Sequence, residues 1–274
     1  MSSKRPAETV VSDALDSAVI ALTAVGVDTP RLDAEVLLAE AMGVDRAALI
    51  ADPRRGLSPS EAGTFRDFAR RRTQREPVAY ILGRKGFRRL ELEVDSRVLI
   101  PRPETEHVVE AALDLPAGAR VVDVGTGSGA IALALADERP DLRVVATDIS
   151  PDALAVARGN AARLGLSVEF VETDLLEGVA GPIDAVVSNP PYVRTGERLA
   201  PELTRYEPDV ALYGGGDDGL DVYHRLVSAI AGVPFVAFEI PGWQAEAVGA
   251  LLVGYSIDVV RDLAGIDRVV VGRR

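Results

Sequence analysis

Residues 121–133 read VVDVGTGSGAIAL. A β-branched apolar run ends at Gly125, Gly127 and Gly129, and a small-residue apolar stretch follows. This order spells strand, glycine turn, helix. Glycine permits the tight turn and close backbone approach to a ligand, and a helix start presents amides that the helix itself does not use. The pattern repeats outward. LRVVATDI (142–149) reads as a strand, and Ser150 with Pro151 caps the helix that follows. SVEFVETD, GPIDAVVSN and PFVAFEI read as further strands. GLDVYHRLVSAIAG and GWQAEAVGALLVG read as helices around the last of them. Such alternation predicts a mostly parallel α/β sheet with helices on both faces. The final segment, 255–274, reads as two strands joined by a turn at Ala264 and Gly265, and so short a connection joins only antiparallel strands.

Upstream the pattern changes. From Gly83 to Leu99, FRRLELEVDSRVLI alternates apolar and polar residues, with Leu90, Leu92 and Val94 on one face, which predicts a hairpin. Pro103 is placed to open a helix. The first seventy-odd residues read as helices. Thr29 is the expected N-cap of one, with Pro30 next and Gly43 as its stop, and Leu32, Val36 and Leu37 as its apolar face. Ser58, Pro59 and Glu61 predict a capping box for another, whose apolar positions are Phe65, Phe68 and Ala69.

Composition narrows the function. The chain has 274 residues, no cysteine and two histidines, His107 and His224. Thiolate metal sites and disulfides are excluded, and a histidine-based zinc site or a Ser-His-Asp triad is disfavoured, so no metal is expected. The net charge of -12 disfavours general affinity for nucleic acid, so no stable nucleic-acid binding is expected. One arginine-rich stretch, from Arg66 to Arg89, runs against that balance and reads as either a solvated face or a patch for an RNA-rich or acidic partner. The N-terminus has no signal-peptide core, and no apolar run approaches the ~20 residues of a membrane span. The expectation is a soluble cytoplasmic protein with no membrane association.

The glycine loop alone leaves its ligand open. Gly125, Gly127 and Ala130 satisfy the dinucleotide fingerprint, and Asp148 ends the next strand where an acid takes a ribose hydroxyl. NAD and S-adenosylmethionine both carry that ribose. A P-loop is excluded, because no Gly-Lys-Ser/Thr follows. Asp174 ends the third strand, where it can accept from an adenine amino group or cap a helix.

The discriminating stretch is VVSNPPYVRTG (186–196). It sets a stiff Asn-Pro-Pro-Tyr corner at the carboxyl end of a core strand, where open α/β sheets bind ligands. Asn189 has no useful acid or base strength. Its side-chain carbonyl and the backbone carbonyl of Pro190 make paired acceptors suited to a planar NH2 group, and Tyr192 can lay its ring against that group. Holding both hydrogens aims the nitrogen lone pair at an electrophile such as a methyl sulfonium. Positioning of this kind is worth at most about 7–11 kcal/mol and needs no prior general base.

Together DVGTGSG, TDIS, SNPPY and EPVAYILG…LIPRPETE resemble the HemK/PrmC peptide chain release factor glutamine methyltransferases, and YEPDVALYGGGDDGLDVY adds to the likeness. The resemblance implies a seven-stranded, Rossmann-like methyltransferase sheet over residues 103–274. It also implies a hairpin linker over 79–102 and a helical substrate-recognition domain over 1–78. It implies S-adenosylmethionine as cofactor, with S-adenosylhomocysteine as product. The loop Gly125, Thr126, Gly127, Ser128 and Gly129 would hold it, with Asp148 on the ribose, Asp174 and Leu175 at the adenine, and Asn189 beside it. The implied partner is a class I release factor, whose Gly-Gly-Gln glutamine would receive the methyl on its amide nitrogen. Asn189, Pro190, Pro191 and Tyr192 would bind that side chain, with Asn189, Pro190 and Tyr192 as the catalytic set. FEIPGWQ (238–244) departs from the family pattern, because Pro241 stands where glycine commonly follows the Glu-Ile pair.

Three other readings use parts of the same sequence. An adenine amino-methyltransferase on DNA or RNA would share the corner chemistry. An NAD-dependent oxidoreductase would share the glycine loop but leave the corner unexplained. A non-catalytic binding module would need neither.

Overall fold

The computed structural model describes residues 9–274; the N-terminal residues read above for signal-peptide character lie partly outside them. The chain divides into two compact units, one ending at Gly83 and the other starting at Arg84.

The first unit is helical: α1 (Val11–Ala24), α2 (Pro30–Met42), α3 (Arg46–Ala51), α4 (Pro59–Thr73) and α5 (Val78–Leu82). Leu15, Leu22, Leu37, Leu38 and Phe65 form its core. The capping box at α4 is present, with Glu61 N donating to Ser58 Oγ at 3.3 Å and Ser58 N to Glu61 Oε2 at 2.7 Å. Thr29 is the N-cap of α2, though its hydroxyl donates to Asp33 Oδ1 at 2.8 Å instead of accepting from a backbone amide. One expectation on α2 fails. Leu32 is exposed, while Asp33 and Glu35 are buried. The reason is charge pairing. Arg72 of α4 donates to Asp33 at 2.7 Å, and Arg31 and Arg46 hold Glu35. These contacts rotate the buried face away from the one that the apolar residues alone suggest.

The second unit opens with the hairpin β1 (Arg84–Phe87) and β2 (Leu90–Glu93), which buries Phe87, Leu92 and the following Val94. A 3-10 turn, Pro103–Thr105, leads into α6 (Glu106–Ala112). The alternation then runs β3 (Arg120–Val124), α7 (Ala130–Glu138), β4 (Arg143–Asp148), α8 (Pro151–Leu164), β5 (Glu169–Glu172) and β6 (Ala185–Ser188). Two short helices, α9 (Pro201–Tyr206) and α10 (Asp209–Leu212), precede α11 (Asp221–Ala229). The rest is β7 (Phe235–Glu239), α12 (Ala245–Leu251), β8 (Ser256–Arg261) and β9 (Asp267–Arg273).

The large sheet has seven strands in the order β5-β4-β3-β6-β7-β9-β8. Pairings from β5 to β7 are parallel, and β9 is antiparallel to both β7 and β8. Neighbouring strand residues split between two cores. Val121 and Val144 pack with α6 and α7 on one face, and Val122 and Val145 pack with α11 and α12 on the other. This is the period-2 signature of a strand buried on both faces. Strand order reverses between β3 and β6, the point where such sheets open a crevice at their carboxyl ends. The glycine loop leaves β3 there and the Asn-Pro-Pro-Tyr corner leaves β6 beside it. Ile240 N still donates to Arg268 O, and Pro241 then ends the pairing of β7 and starts a 3-10 turn, Gly242–Gln244.

The arginine-rich stretch is largely matched by acids of its own chain. Arg70 pairs with Asp67, Arg71 with Glu76 and Arg72 with Asp33. Arg84 pairs with Glu91, Arg88 with Glu110 and Glu138, and Arg89 with Asp137. No helix among the described residues is long and apolar enough to cross a membrane.

Candidate active site

A cleft lies at the switch point, where open α/β sheets bind small molecules. Gly125, Gly127, Asp148, Asp174, Leu175, Asn189, Pro190 and Pro191 all line it. Thr126, Ser128, Gly129 and Tyr192 are not among the residues that line it.

The glycine loop is braced from below. Asp123, at 0% exposure, accepts from Thr126 Oγ1 at 2.6 Å and from the Ala132 amide of α7 at 3.2 Å. Burial pushes its carboxyl up to about 7. Asn160 of α8 donates to Ser128 O at 3.0 Å while also bonding both backbone groups of Glu93. The loop amides are mostly engaged already. Gly125 N and Thr126 N donate to Thr147 O, and Gly127 N donates to Asp148 Oδ2 at 2.9 Å. The loop is therefore a preformed, internally bonded shelf rather than the row of bare amides that its glycines suggest.

Each glycine has its own reason. Gly125 and Gly127 have φ of 71° and 56°, and a Cβ on either would meet nothing within 4 Å, so backbone conformation alone requires them. Gly129 also has positive φ, but a Cβ there would lie 2.9 Å from Leu133 Cδ1 and 3.3 Å from Ala157 Cβ. It permits close packing of α7 against α8.

Asp148 ends β4, accepts from Gly127 N and from Ser150 N, and has its pKa raised by burial. Asp174 is paired with Arg225 of α11, a cleft residue that the sequence did not mark. Leu175 holds φ at 52°, a strained value for a branched side chain, and its carbonyl accepts from Thr147 Oγ1 at 2.9 Å.

At the corner, Asn189 is half-buried and Pro190 buried. Asn189 Nδ2 donates to Thr105 Oγ1 at 3.1 Å. In this orientation Oδ1 is left as an acceptor with no partner among the described residues. The corner is anchored on both sides. Ser188 Oγ donates to Val124 O at 2.7 Å, and the Val193 amide donates to Leu212 O at 2.9 Å. Burial pushes the Tyr192 phenol up to about 12, so it stays neutral.

The segments IPRPETE and YEPDVAL are joined here as well. Glu207 accepts from the Ile100 amide and from the Arg102 guanidinium, and Pro208, Val210 and Ala211 follow it into the cleft wall. Both segments stood out in the sequence without a role. Thr105, Arg102 and Glu207 are thus site residues that sequence reading missed, and their signal was the segments themselves.

A cleft formed by a glycine shelf, an acid at the end of the next strand and an Asn-Pro-Pro-Tyr corner, on this strand order, defines an α/β methyltransferase. The Methyltransferase small domain model matches residues 97–206, and the PrmC N-terminal domain model matches residues 13–83. A release factor glutamine methyltransferase from Koribacter versatilis (strain Ellin345) is 42% identical, covering 96% of this chain and 98% of that protein. One from Deinococcus radiodurans is 41% identical with the same coverage of each. Among solved structures, a methyltransferase from Pyrococcus furiosus superposes with a TM-score of 0.53 at 21% identity, over 67% of this chain and 88% of that one, and shows the shared fold. The chain belongs to the release factor glutamine methyltransferase family.

Proposed function

We propose that the protein transfers a methyl group from S-adenosylmethionine to the side-chain amide nitrogen of the glutamine in the Gly-Gly-Gln motif of a class I release factor, acting in the cytoplasm. The observation that carries this reading is the state of Asn189. Its Nδ2 is committed to Thr105, and neither its Oδ1 nor the carbonyl of the adjoining Pro190 engages a hydrogen bond among the described residues. Two adjacent acceptors match the two hydrogens of a primary amide.

The residues of the shelf fit the cofactor. Gly125 and Gly127 expose a backbone free of side chains to the cleft, Asp148 supplies a carboxylate at its floor, and Asp174 and Leu175 border its far wall. Bound there, S-adenosylmethionine supplies an electrophilic methyl on a sulfonium. Thr126, Ser128 and Gly129 act from beneath by fixing the loop. Asn189 and Pro190 hold the amide hydrogens so that the nitrogen lone pair is directed rather than delocalised, Pro191 stiffens the corner, and Tyr192 packs against the amide plane. No group in this set must abstract a proton before the attack, in keeping with a chain that has two histidines; the methylated nitrogen gives up one hydrogen to solvent afterwards, as S-adenosylhomocysteine is left. The helical unit is the proposed reader of the protein substrate. The internal pairing of the arginine-rich stretch weighs against a nucleic-acid substrate.

The test is transfer of labelled methyl to a purified class I release factor, to the same factor with its Gly-Gly-Gln glutamine changed to alanine, and to DNA. Label on the intact factor alone supports the reading. Label on DNA moves the substrate to adenine.

A further inference from the structure

Asn189 does not fix its own amide. The Thr105 hydroxyl that accepts from Nδ2 is buried in the turn Pro103–Thr105. This hydroxyl favours the charged form of the carboxylate of Glu239, which ends β7. The parallel register that pairs Ser188 with Phe238 sets the next residues, Asn189 and Glu239, side by side at the carboxyl ends of their strands. Glu239 is only 3% exposed, and its Oε2 has no hydrogen-bond partner among the described residues. Neither Thr105 nor Glu239 lines the cleft. A buried carboxylate with an unmatched oxygen is costly to keep. Its place directly behind the corner points to use.

We propose that Thr105 and Glu239 are positioning residues, linked to Asn189 by a one-way hydrogen-bond chain that locks its amide with Oδ1 toward the substrate. The inference rests on the methyl-transfer reading. A carboxylate only accepts, so the Thr105 hydroxyl must donate to Glu239. Its lone pairs then face Asn189, and only the Nδ2 side of the amide satisfies them. A flipped Asn189 would set two acceptors together and turn an NH2 toward the substrate NH2. If Glu239 is neutral, the Thr105 hydrogen is free to rotate and either orientation of Asn189 is tolerated. The ionised form therefore holds the clamp.

Burial raises the Glu239 carboxyl to about 7, opposed by Thr105 and by Arg268 and Arg102, and reinforced by the negative charge of Glu104. Tyr192 and Tyr223 also face it; Tyr223 Oη donates to the Glu239 backbone carbonyl at 2.6 Å. The lock should weaken as pH falls below about 7.

The test measures kcat and KM for methyl transfer to a class I release factor across neutral pH, with T105A, T105S and E239Q, and S-adenosylhomocysteine affinity by calorimetry. T105A and E239Q should lower kcat about 10- to 100-fold, the range for losing a hydrogen bond to a charged group, while product affinity stays near that of wild type. T105S should restore most of the rate. The acidic limb of the wild-type kcat profile should be absent in E239Q. Wild-type kcat in T105A, or an unchanged acidic limb in E239Q, would overturn the inference. Should T105A unfold, T105S and the E239Q profile still decide. Failure of the wild type to modify the factor would reject the methyl-transfer reading itself, a result distinct from wild-type transfer with an indifferent T105A.

Discussion

Arg102 and Glu207, 105 residues apart in the chain, form an ion pair in which the Glu207 side chain is 2% exposed and the Arg102 side chain 30%. The pair pins the segment before α6 to the segment that walls the cleft. Removing Arg102 leaves Glu207 buried without its cation. A fully buried pair broken this way costs about 3–5 kcal/mol, and the partial exposure of Arg102 places this one nearer 2 kcal/mol. Arg102→Ala should lower the melting temperature clearly. Arg97→Ala, which breaks a pair with Asp95 exposed by 46% and 48%, should cost about 1 kcal/mol or less. Thermal unfolding of the two variants side by side checks the difference.

The glycine shelf predicts two different failures. Gly129→Ala forces a Cβ to 2.9 Å from Leu133 Cδ1 at a φ of 86°, so overpacking and backbone strain add, at roughly 1–3 kcal/mol. Gly125→Ala meets no atom within 4 Å and pays only for its φ of 71°, about 1 kcal/mol. Its added methyl borders the cleft. Gly129→Ala should therefore show mainly as lost stability, and Gly125→Ala mainly as weaker binding of S-adenosylhomocysteine, read by calorimetry.

Asp123 and Glu239 both have carboxyls raised to about 7, from 3.8 and 4.5, chiefly by burial. Between those values the folded state holds protons that the unfolded chain has released. Stability from these groups is thus full below about pH 4 and is lost as pH rises through about 7. Glu239→Gln removes one buried charge. It should raise the melting temperature at pH 8, by on the order of 2 kcal/mol in stability, and change it little at pH 5. A more stable, less active variant is the expected result. Equal melting temperatures at pH 8 would contradict the assigned burial cost.

The parts legible in the sequence were those written locally. The strand, glycine turn and helix at 121–133 gave the shelf, and Asn189 to Tyr192 gave the corner, because backbone conformation and neighbouring side chains decide both. The Ser58–Glu61 box and the Ser150 cap were legible for the same reason, with Ala153 N donating to Ser150 Oγ at 3.2 Å. What escaped was tertiary. Thr105 reaches Asn189 across 84 residues, and the β6–β7 register brings Glu239 beside it. The face of α2 was misjudged because Arg72, on another helix, turns Asp33 inward. The glycine-loop amides read as open because their acceptors, Thr147 and Asp148, lie on the neighbouring strand.

The central claim is that Asn189 clamps the reacting amide and does not hold the protein together. The most direct measurement is kcat of Asn189→Ala on a class I release factor at saturating S-adenosylmethionine. Losing one preorganised polar contact to a reacting group costs about 10²- to 10³-fold in kcat, and a drop of that size is predicted, with S-adenosylhomocysteine affinity held within a few fold of wild type. A kcat near that of the wild type would contradict the clamp.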